Sequence, residues 1–277
     1  MKRESSLKEI ISLYLPLILI LLFILFPFYW IFITSIKPET ELYGAITYWP
    51  RAVTWENYKN LFTTTVNFIA AMKNSFIAAA LTTIVSLTAS TLAAYAFSRY
   101  RFKGRRLLMA MFLSNNMFPT VLLLIPLYSI MRNLKLLYTP WALVLAYTTF
   151  TLPFSVWLLN GFMNDLPMTL EEAALVDGCN RRTAFLKIIM PLLGPSLVAT
   201  GVYIFMTSWN EYTFAVMFTN NASRTIPVAL KSLIGQLGVD WGLLTAGGII
   251  TIIPVCIMFF FAQKRLVEGL TAGAVKG

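Results

Sequence analysis

The chain has 277 residues, of which 58 % are hydrophobic and 12 % are charged, and its mean hydropathy is +0.71. A soluble domain carries about a quarter charged residues, so this composition excludes an ordinary globular enzyme. The formal net charge is +10, but the Lys and Arg residues stand in short clusters between apolar stretches. That arrangement is typical of anchors at a membrane surface and not of nucleic-acid binding. With two cysteines and no histidine, the chain lacks the residues for a disulfide framework or a histidine-based metal or catalytic site.

Six stretches contain no Asp, Glu, Lys or Arg and are long enough to cross a bilayer core of about 30 Å, which takes about 20 helical residues. They are residues 10–36, 74–98, 107–131, 136–164, 188–210 and 241–263. The sequence therefore predicts an all-α integral membrane protein with six transmembrane helices. If the N-terminus lies in the cytoplasm, 14 of the 22 Lys and Arg residues fall on that side. This bias predicts that both termini are cytoplasmic.

The first two stretches differ in a way that predicts their surroundings. Residues 10–36 contain neither Gly nor Ala, whereas residues 74–98 contain seven Ala, four Ser and four Thr. Small residues let helices approach closely in a bilayer, so we expect the first helix at the periphery and the second in the interior. Several prolines lie in or beside the other spans, which suits a pathway that opens and closes. They are Pro119, Pro126, Pro153, Pro191, Pro195 and Pro254.

The segment between the fourth and fifth spans, residues 166–187, carries helix signals of its own. Thr169 followed by Glu172 matches a capping box, which predicts a helix that begins just after Thr169. Gly178 stands where a left-handed residue would end that helix, and Asn180 can cap a second one. A well-capped connector is one interpretation. However, connectors between helices need only about two to eight residues, so a 22-residue segment favours a docking role.

A longer pattern in this segment carries a resemblance to a known family. Glu172-Ala173-Ala174, then Gly178, then Ile188 and Pro191 at their spacing resemble the EAA signature of permease subunits in ATP-binding-cassette (ABC) importers. The resemblance implies that this loop inserts into a groove on an ATPase subunit. It implies a coupling role for Glu172, Ala173, Ala174, Asp177, Gly178, Ile188 and Pro191.

The likeness extends over most of the chain and narrows to the permeases of carbohydrate importers of the maltose type. The motifs that carry it are Tyr48-Trp49-Pro50, Ile125-Pro126-Leu127-Tyr128, Trp209-Asn210-Glu211 and Thr225-Ile226-Pro227-Val228. The resemblance implies a type I (MetI-like) permease core with five transmembrane helices in residues 68–263. Residues 1–67 would form a peripheral helix and an outer loop. Residues 264–277 would form a cytoplasmic tail that contacts the ATPase subunits through Gly273, Ala274 and Lys276.

The partners and cofactors follow from the same resemblance. It implies a multi-pass subunit of a prokaryotic plasma membrane complex, together with a second related permease, two ATP-binding subunits and an extracytoplasmic sugar-binding protein. The chain has no G-x-x-x-x-G-K-[ST] phosphate loop, so we expect ATP and Mg²⁺ on the ATPase subunits and no cofactor on this chain. Membrane lipid is an expected partner and nucleic acid is not. The expected function is ATP-driven import of an oligosaccharide or disaccharide, with glycerol 3-phosphate or another polyol as the alternative.

Two other functional classes lack their usual residues. An ion-coupled secondary carrier usually places Asp, Glu or His within a span, and none of the six stretches contains one; Glu211 lies at the outer edge of the fifth. A membrane-embedded enzyme would need a nucleophile and a base, and no such constellation is evident. We therefore expect no enzymatic activity from the chain itself.

Polar and aromatic residues of the third to fifth spans are candidates for a sugar path, because aromatic faces together with amide and carboxylate groups hold sugars. The candidates are Asn115, Asn116, Tyr147, Trp209, Asn210 and Glu211, followed by Tyr128, Asn160 and Tyr203. The competing explanation is that such residues hold helices together. In the resembled family, moreover, the partner permease can carry most of the substrate contacts.

Overall fold

The computed structural model describes residues 7–63, 67–115, 117–235 and 238–274, with side chains between residues 12 and 263. The described residues form helices and one isolated antiparallel bridge between Ile234 and Val239. The α-helices are α1 (Leu7–Ser35), α2 (Glu39–Leu42), α3 (Glu56–Thr63), α4 (Phe68–Arg99), α5 (Arg105–Asn115), α6 (Leu124–Asn133), α7 (Pro140–Asp165), α8 (Thr169–Val176), α9 (Arg181–Ala184), α10 (Met190–Leu192), α11 (Gly194–Trp209), α12 (Thr213–Phe218), α13 (Ile226–Ser232) and α14 (Trp241–Ala274). A 3-10 turn covers Thr120–Leu123 and a π-helical turn covers Phe185–Ile189.

Four helices are long and apolar enough to cross a membrane without a break: Ser12–Ser35, Phe68–Arg99, Pro140–Asp165 and Trp241–Gln263. Two further candidates are bent pairs. Arg105–Asn115 and Thr120–Asn133 meet at 100°, and Arg181–Leu192 and Gly194–Trp209 meet at 74°. The described residues thus hold four spans, or six if each bent pair crosses the membrane once. The predicted all-α membrane fold is confirmed, but the third and fifth apolar stretches are not straight helices.

A proline lies at the break in the third candidate span. Pro119 is extended (φ −61°, ψ 118°) and immediately precedes the 3-10 turn. A proline disfavours helical backbone in the residue before it and has no N–H for the preceding turn. The helix that begins at Arg105 therefore cannot continue through this position, although hydropathy over residues 107–131 gives no sign of the bend.

The fifth candidate span is interrupted at Leu193. Helix α10 ends one residue earlier, and α11 starts one residue later with Pro195 in its first turn. Before the break, the chain makes the π-helical turn, a feature that often occurs at functional sites. The span predicted to start at residue 188 therefore begins inside the π-helical turn.

By internal contacts the chain divides into two compact units, which we describe separately. The first comprises Met1–Phe68 and Leu230–Ile253. In it, the Asn57 amide on α3 donates to the carbonyls of Ser35 and Lys37, each at 2.9 Å. Carbonyls at a helix C-terminus lack intrahelical partners. Asn57 therefore ties the start of α3 to the end of α1 and to the loop residue Lys37.

The second unit comprises Ile69–Ala229 and Pro254–Gly277. Its core joins α6, α7 and α12, and Tyr147 and Phe214 are among the buried members. Small residues bring α4 close to α7, since the Ser86 and Thr151 hydroxyls lie 2.8 Å apart and both are buried. The most apolar part of the α4 span is 33 % buried, against 11 % for α1. This difference agrees with an interior second helix and a peripheral first helix.

Candidate functional site

The chain between α7 and the π-helical turn forms a helix, a turn and a second helix, residues 169–184, which we call the helix pair. Helix α8 begins at Thr169 and follows Met168, which is already helical (φ −61°, ψ −27°) and provides no side-chain cap. The capping box predicted from Thr169 and Glu172 is therefore wrong. The Leu170 N–H donates to the carbonyl of Pro167 at 3.3 Å. Because proline presets a helical φ, the chain turns earlier than the pattern indicates and Thr169 falls inside the helix.

Gly178 ends α8 in the left-handed conformation, with φ +86°, as the sequence predicts. The Gly178 N–H donates to the Leu175 carbonyl at 3.1 Å, and the Cys179 N–H donates to the Ala174 carbonyl at 2.9 Å. These two bonds form the Schellman motif, which satisfies the last carbonyls of a helix. A Cβ atom at position 178 would meet no described atom within 4 Å, so within the chain it is the backbone conformation that favours glycine.

Asn180 starts the second helix of the pair, which confirms another prediction. Its Oδ1 accepts a hydrogen bond from the Thr183 N–H at 2.8 Å. The short helix α9 then runs directly into the π-helical turn, where Ile188 is half-buried. Pro191, in α10, is exposed. The local cap thus sets the direction in which the chain re-enters the helix bundle.

One face of the helix pair points away from the rest of the described chain. Val176 is 88 % exposed, and Glu172, Ala173, Asp177 and Gly178 are exposed beside it. Ala174, by contrast, is buried. The residues to which the resemblance assigns coupling therefore divide into an outward group around Val176 and a packing group formed by Ala174 and Ile188.

A buried ion pair that sequence reasoning missed ties the helix pair to α4. Glu171, in the first turn of α8, pairs with Arg99, and their side chains are only 14 % and 4 % exposed. The Tyr95 hydroxyl donates to Glu171 Oε2 at 2.9 Å. The Arg99 guanidinium also donates to the carbonyls of Met163 and Leu166, at 3.1 and 3.2 Å. The ends of α4 and α7 and the start of α8 are thus held through one arginine.

The second unit contains a partly open cavity of about 280 Å³. Three of the predicted path residues line it, namely Asn115, Tyr147 and Glu211, together with the aromatic Phe118, Phe150 and Phe214. The Asn115 amide is engaged with the carbonyl of Thr149 at 2.9 Å. Ser208 and the phenylalanines were not predicted, because hydropathy does not distinguish a residue in the core from one that lines a cavity.

Two polar groups on the cavity wall lack partners within the described structure. The Tyr147 hydroxyl and the Ser208 Oγ are buried and make no hydrogen bond to any described residue. The Tyr147 hydroxyl lies near the Glu211 carboxylate without the geometry of a hydrogen bond. Buried polar groups are normally paired, and hydroxyls both donate and accept. The wall therefore offers hydrogen-bonding groups to a hydroxyl-rich ligand.

Glu211 lies two residues after the end of α11 and stabilises the start of α12. Its carboxylate accepts hydrogen bonds from the N–H groups of Phe214, at 3.0 Å, and Ala215, at 3.2 Å. Burial raises the pKa of the Glu211 carboxyl above its usual range, and the backbone donors act in the opposite direction. Glu211 is thus both a structural cap and a cavity-wall carboxylate.

Trp209 and Asn210 are not among the residues that line the cavity. Trp209 is buried and stacks on Phe205, with ring centroids 5.6 Å apart. Asn210 donates to the carbonyl of Met206 at 2.9 Å, which occupies its amide at the end of α11. Asn116 and Lys276 lie outside the described residues, and Gly273 and Ala274 are described only as backbone of α14.

Two of the further candidates, Tyr128 and Tyr203, pack against aromatic rings. Tyr128 packs against Phe218 and Tyr203 against Phe154, with centroids 6.1 and 4.6 Å apart. The buried Asn160 Oδ1 has no hydrogen-bond partner within the described ranges.

The described side chains contain no group of three or more His, Cys, Asp or Glu that could hold a metal ion.

Comparison with protein families and curated relatives gives consistent matches. The family described as "Binding-protein-dependent transport system inner membrane component" matches residues 86–271. The sulfoquinovosyl glycerol transport system permease protein SmoH of Agrobacterium fabrum is 39 % identical over 255 residues, which cover 91 % of this chain and 89 % of that relative. The trehalose/maltose transport system permease protein MalG of Thermococcus litoralis is 38 % identical over 278 residues, 99 % of each chain. The diacetylchitobiose uptake system permease protein DasC of Streptomyces coelicolor is 37 % identical over 256 residues, 92 % of each.

Solved structures share the fold. A bacterial ABC transporter involved in the import of the acidic polysaccharide alginate matches with a TM-score of 0.80 and 22 % identity, over 96 % of this chain and 99 % of that chain. An inward-facing form of the MetNI methionine ABC transporter matches with a TM-score of 0.59 and 15 % identity, over 77 % of this chain and 98 % of that one. At these identities the likeness concerns the fold, and it confirms the expected permease architecture.

Proposed function

The chain belongs to the family of inner membrane components of binding-protein-dependent transport systems, and we propose that it is a permease subunit of an ATP-driven sugar importer. Permeases named for sulfoquinovosyl glycerol, trehalose and maltose, and diacetylchitobiose are 37–39 % identical to it. Their names support a disaccharide, an oligosaccharide or a glycosyl glycerol as the transported substrate.

The observation that carries the coupling proposal is the exposed face of the helix pair. A face with Val176 at 88 % exposure, next to a rigid glycine turn, suits a partner that covers it. We assign that partner to an ATPase subunit, with Glu172, Ala173, Asp177 and Gly178 at the contact. ATP and Mg²⁺ are bound by the ATPase subunits in this proposal, and both termini and the helix pair face the cytoplasm.

The cavity supports the substrate path. Its volume of about 280 Å³ falls just below the usual range for ligand pockets, about 300–1,000 Å³. A second, related permease would therefore supply the rest of the pathway. Tyr147, Ser208 and Glu211 provide hydrogen-bonding groups, and Phe150 and Phe214 provide aromatic surface, a combination that suits sugars.

The transport cycle links these two sites. Closure of the ATPase dimer on ATP moves the helix pair, and the Arg99–Glu171 pair passes that displacement to α4 and to the end of α7. Rigid-body rocking of the helices then opens the pathway toward a sugar-loaded binding protein outside. The third and fifth candidate spans are already divided into separate segments, at the bends near Pro119 and Leu193.

The experiment is a co-purification and transport assay on matched glutamate substitutions. Val176→Glu changes the helix-pair face, and Val53→Glu makes the same change at an exposed position in the loop after α1 (60 % exposed). We expect Val176→Glu to insert normally but to lose the ATPase subunits and ATP-dependent sugar uptake, while Val53→Glu keeps both. Unchanged ATPase retention in Val176→Glu would refute the docking assignment. Uptake in ATP-free vesicles that hold a proton gradient would instead support an ion-coupled carrier.

A further inference from the structure

The link between α4 and α5 and the first turn of α5 carry a dense group of positive side chains, residues 101–106, which we call the basic loop. Arg101, Lys103 and Arg106 are exposed, and Arg105 is half-buried. None of these four cations forms an ion pair with a described acidic residue. They border an open depression of about 650 Å³. The loop is therefore a concentrated positive surface that the described chain does not neutralise.

The basic loop has a defined conformation. The Phe102 ring packs on Phe97 at 5.5 Å between centroids, and Phe97 packs on Phe112 at 5.8 Å. Gly104 adopts a positive φ of +88°, and the Leu108 N–H donates to its carbonyl at 2.9 Å. The aromatic cluster and the turn therefore present the cations from a fixed backbone.

An exposed apolar surface begins directly beside these cations. Leu107 is 66 % exposed, Leu108 43 % and Met111 58 %. All three belong to α5, the first half of the third candidate span. Positive groups at the end of an apolar helix face match the two parts of a phospholipid, a charged headgroup and its acyl chains.

A fifth cation approaches the loop from the helix pair. The Arg181 guanidinium lies 5.7 Å from the centroid of the Tyr100 ring, a cation–π distance. Tyr100 is the residue that joins α4 to the basic loop. The loop thus lies beside the second helix of the pair, and its charge is reinforced there.

We propose that the basic loop binds an anionic phospholipid, with the phosphate held by Arg105 and Arg106 and an acyl chain lying along Leu107 and Met111. Guanidinium groups bind phosphate oxygens through paired hydrogen bonds, and basic pockets beside transmembrane helices bind acidic headgroups. The positive-inside rule accounts for the number of cations. It does not account for a fixed turn that places these cations directly beside the exposed apolar side chains Leu107 and Met111. A soluble phosphate ester shares the headgroup chemistry but leaves that apolar face without a role.

The test is lipid retention by the assembled transporter, measured by native mass spectrometry after incubation with equal amounts of phosphatidylglycerol and phosphatidylcholine. Arg105→Gln/Arg106→Gln removes the proposed phosphate contacts. Arg132→Gln/Lys135→Gln removes the same charge at exposed positions at the end of α6 and is the matched control. One cation near an anionic surface is worth roughly a fivefold change in binding. We therefore expect roughly 25-fold weaker phosphatidylglycerol retention in the loop variant and wild-type retention in the control.

Two further variants protect the test against misfolding or inverted insertion. Arg105→Lys/Arg106→Lys keeps the charge and should retain most of the lipid. The single change Arg106→Gln leaves most of the cluster in place, and we expect roughly fivefold weaker retention from it. Wild-type retention in Arg106→Gln and in the double glutamine variant would overturn the proposal.

Other outcomes would also overturn it. Equal loss in the loop variant and the control would show a general charge effect without a site. Displacement of phosphatidylglycerol by millimolar inorganic phosphate would identify a soluble anion as the ligand. Loss of the ATPase subunits with lipid retention unchanged would identify the loop as a protein contact.

Discussion

Arg99, the last residue of α4, forms a buried ion pair with Glu171, which lies 72 positions further along the chain in the first turn of α8. The same guanidinium reaches two carbonyls at the end of α7. Removal of one member of a buried pair leaves an uncompensated charge, which costs about 3–5 kcal/mol, whereas apolar replacement of both is often nearly neutral. The two side chains therefore act as a unit.

We predict that Glu171→Leu destabilises the assembled complex by about 3–5 kcal/mol and lowers sugar-stimulated ATP hydrolysis. The combination Arg99→Met/Glu171→Leu should recover part of this loss, so the double-mutant cycle should show a coupling of at least about 1 kcal/mol. Thermal unfolding of the purified complex measures the cycle. Additive effects of the two single changes would mean that the pair does not act as a unit.

The first unit offers a prediction about a glycine. A Cβ atom on Gly242 would overlap the amide of Asn57, with only 2.8 Å to its Cγ, and that amide holds the carbonyls of Ser35 and Lys37. Gly242→Ala should therefore cost about 1–3 kcal/mol, because the two carbonyls lose their donor. Gly248→Ala is the control, since its Cβ would have no neighbour within 4 Å. Equal unfolding temperatures for the two variants would refute the contact.

The unpaired hydroxyl of Tyr147 allows a functional role of this residue to be tested separately from a structural one. Tyr147→Phe removes a buried group that has no partner among the described residues, so stability should stay the same or rise slightly. Sugar uptake should nevertheless fall, with the Michaelis constant increased by roughly tenfold for the loss of one hydrogen bond in the path. Tyr29→Phe is the control, because its hydroxyl bonds the Tyr48 carbonyl at 2.6 Å, outside the cavity. Unchanged uptake kinetics in Tyr147→Phe would remove this residue from the path.

We predict that Glu211 makes the stability of the second unit depend on pH, which thermal unfolding at a series of pH values measures. Because burial raises the pKa of its carboxyl in the folded chain, the folded state keeps a proton that the unfolded state releases. This contribution to stability is complete below the ordinary pKa of 4.5 and is lost as the pH rises through the raised folded value. Glu211→Gln should abolish that decline, since the amide oxygen still accepts from Phe214. The exposed Glu172→Gln is the control, and a decline that persists in Glu211→Gln would assign it to another group.

Local features of the helix pair could be predicted from sequence because few alternatives compete with them. A glycine at the end of a helical pattern favours a left-handed turn, and an asparagine before the next helix favours an N-cap. Gly178 and Asn180 adopt these conformations as expected. The capping box at Thr169 failed because Pro167 had already set the start of the helix. Glu171 was not singled out, because its partner Arg99 is remote in sequence. Arg99 was counted only among the cations that predict the orientation of the spans.

The bends near Pro119 and at Leu193 show a different limit. Pro119 and Pro195 are visible in the sequence, and they correctly mark spans with interrupted backbone. Hydropathy averages over such breaks, so it returned straight spans of residues 107–131 and 188–210. The cavity could not be predicted from hydropathy either. Ser208 and Phe150 line it only because the fold brings α7 and α11 together.

The proposed coupling of this permease to an ATPase through the helix pair depends on the left-handed turn at Gly178. Gly178→Val forces a β-branched residue into a left-handed conformation, whereas Gly178→Asn adds a side chain that tolerates it. The measurement is ATP hydrolysis by the reconstituted transporter, stimulated by the sugar-loaded binding protein. We expect Gly178→Val to insert into the membrane but to lose stimulation, while Gly178→Asn keeps most of it. Wild-type stimulation of ATP hydrolysis in Gly178→Val would refute the coupling role of the helix pair.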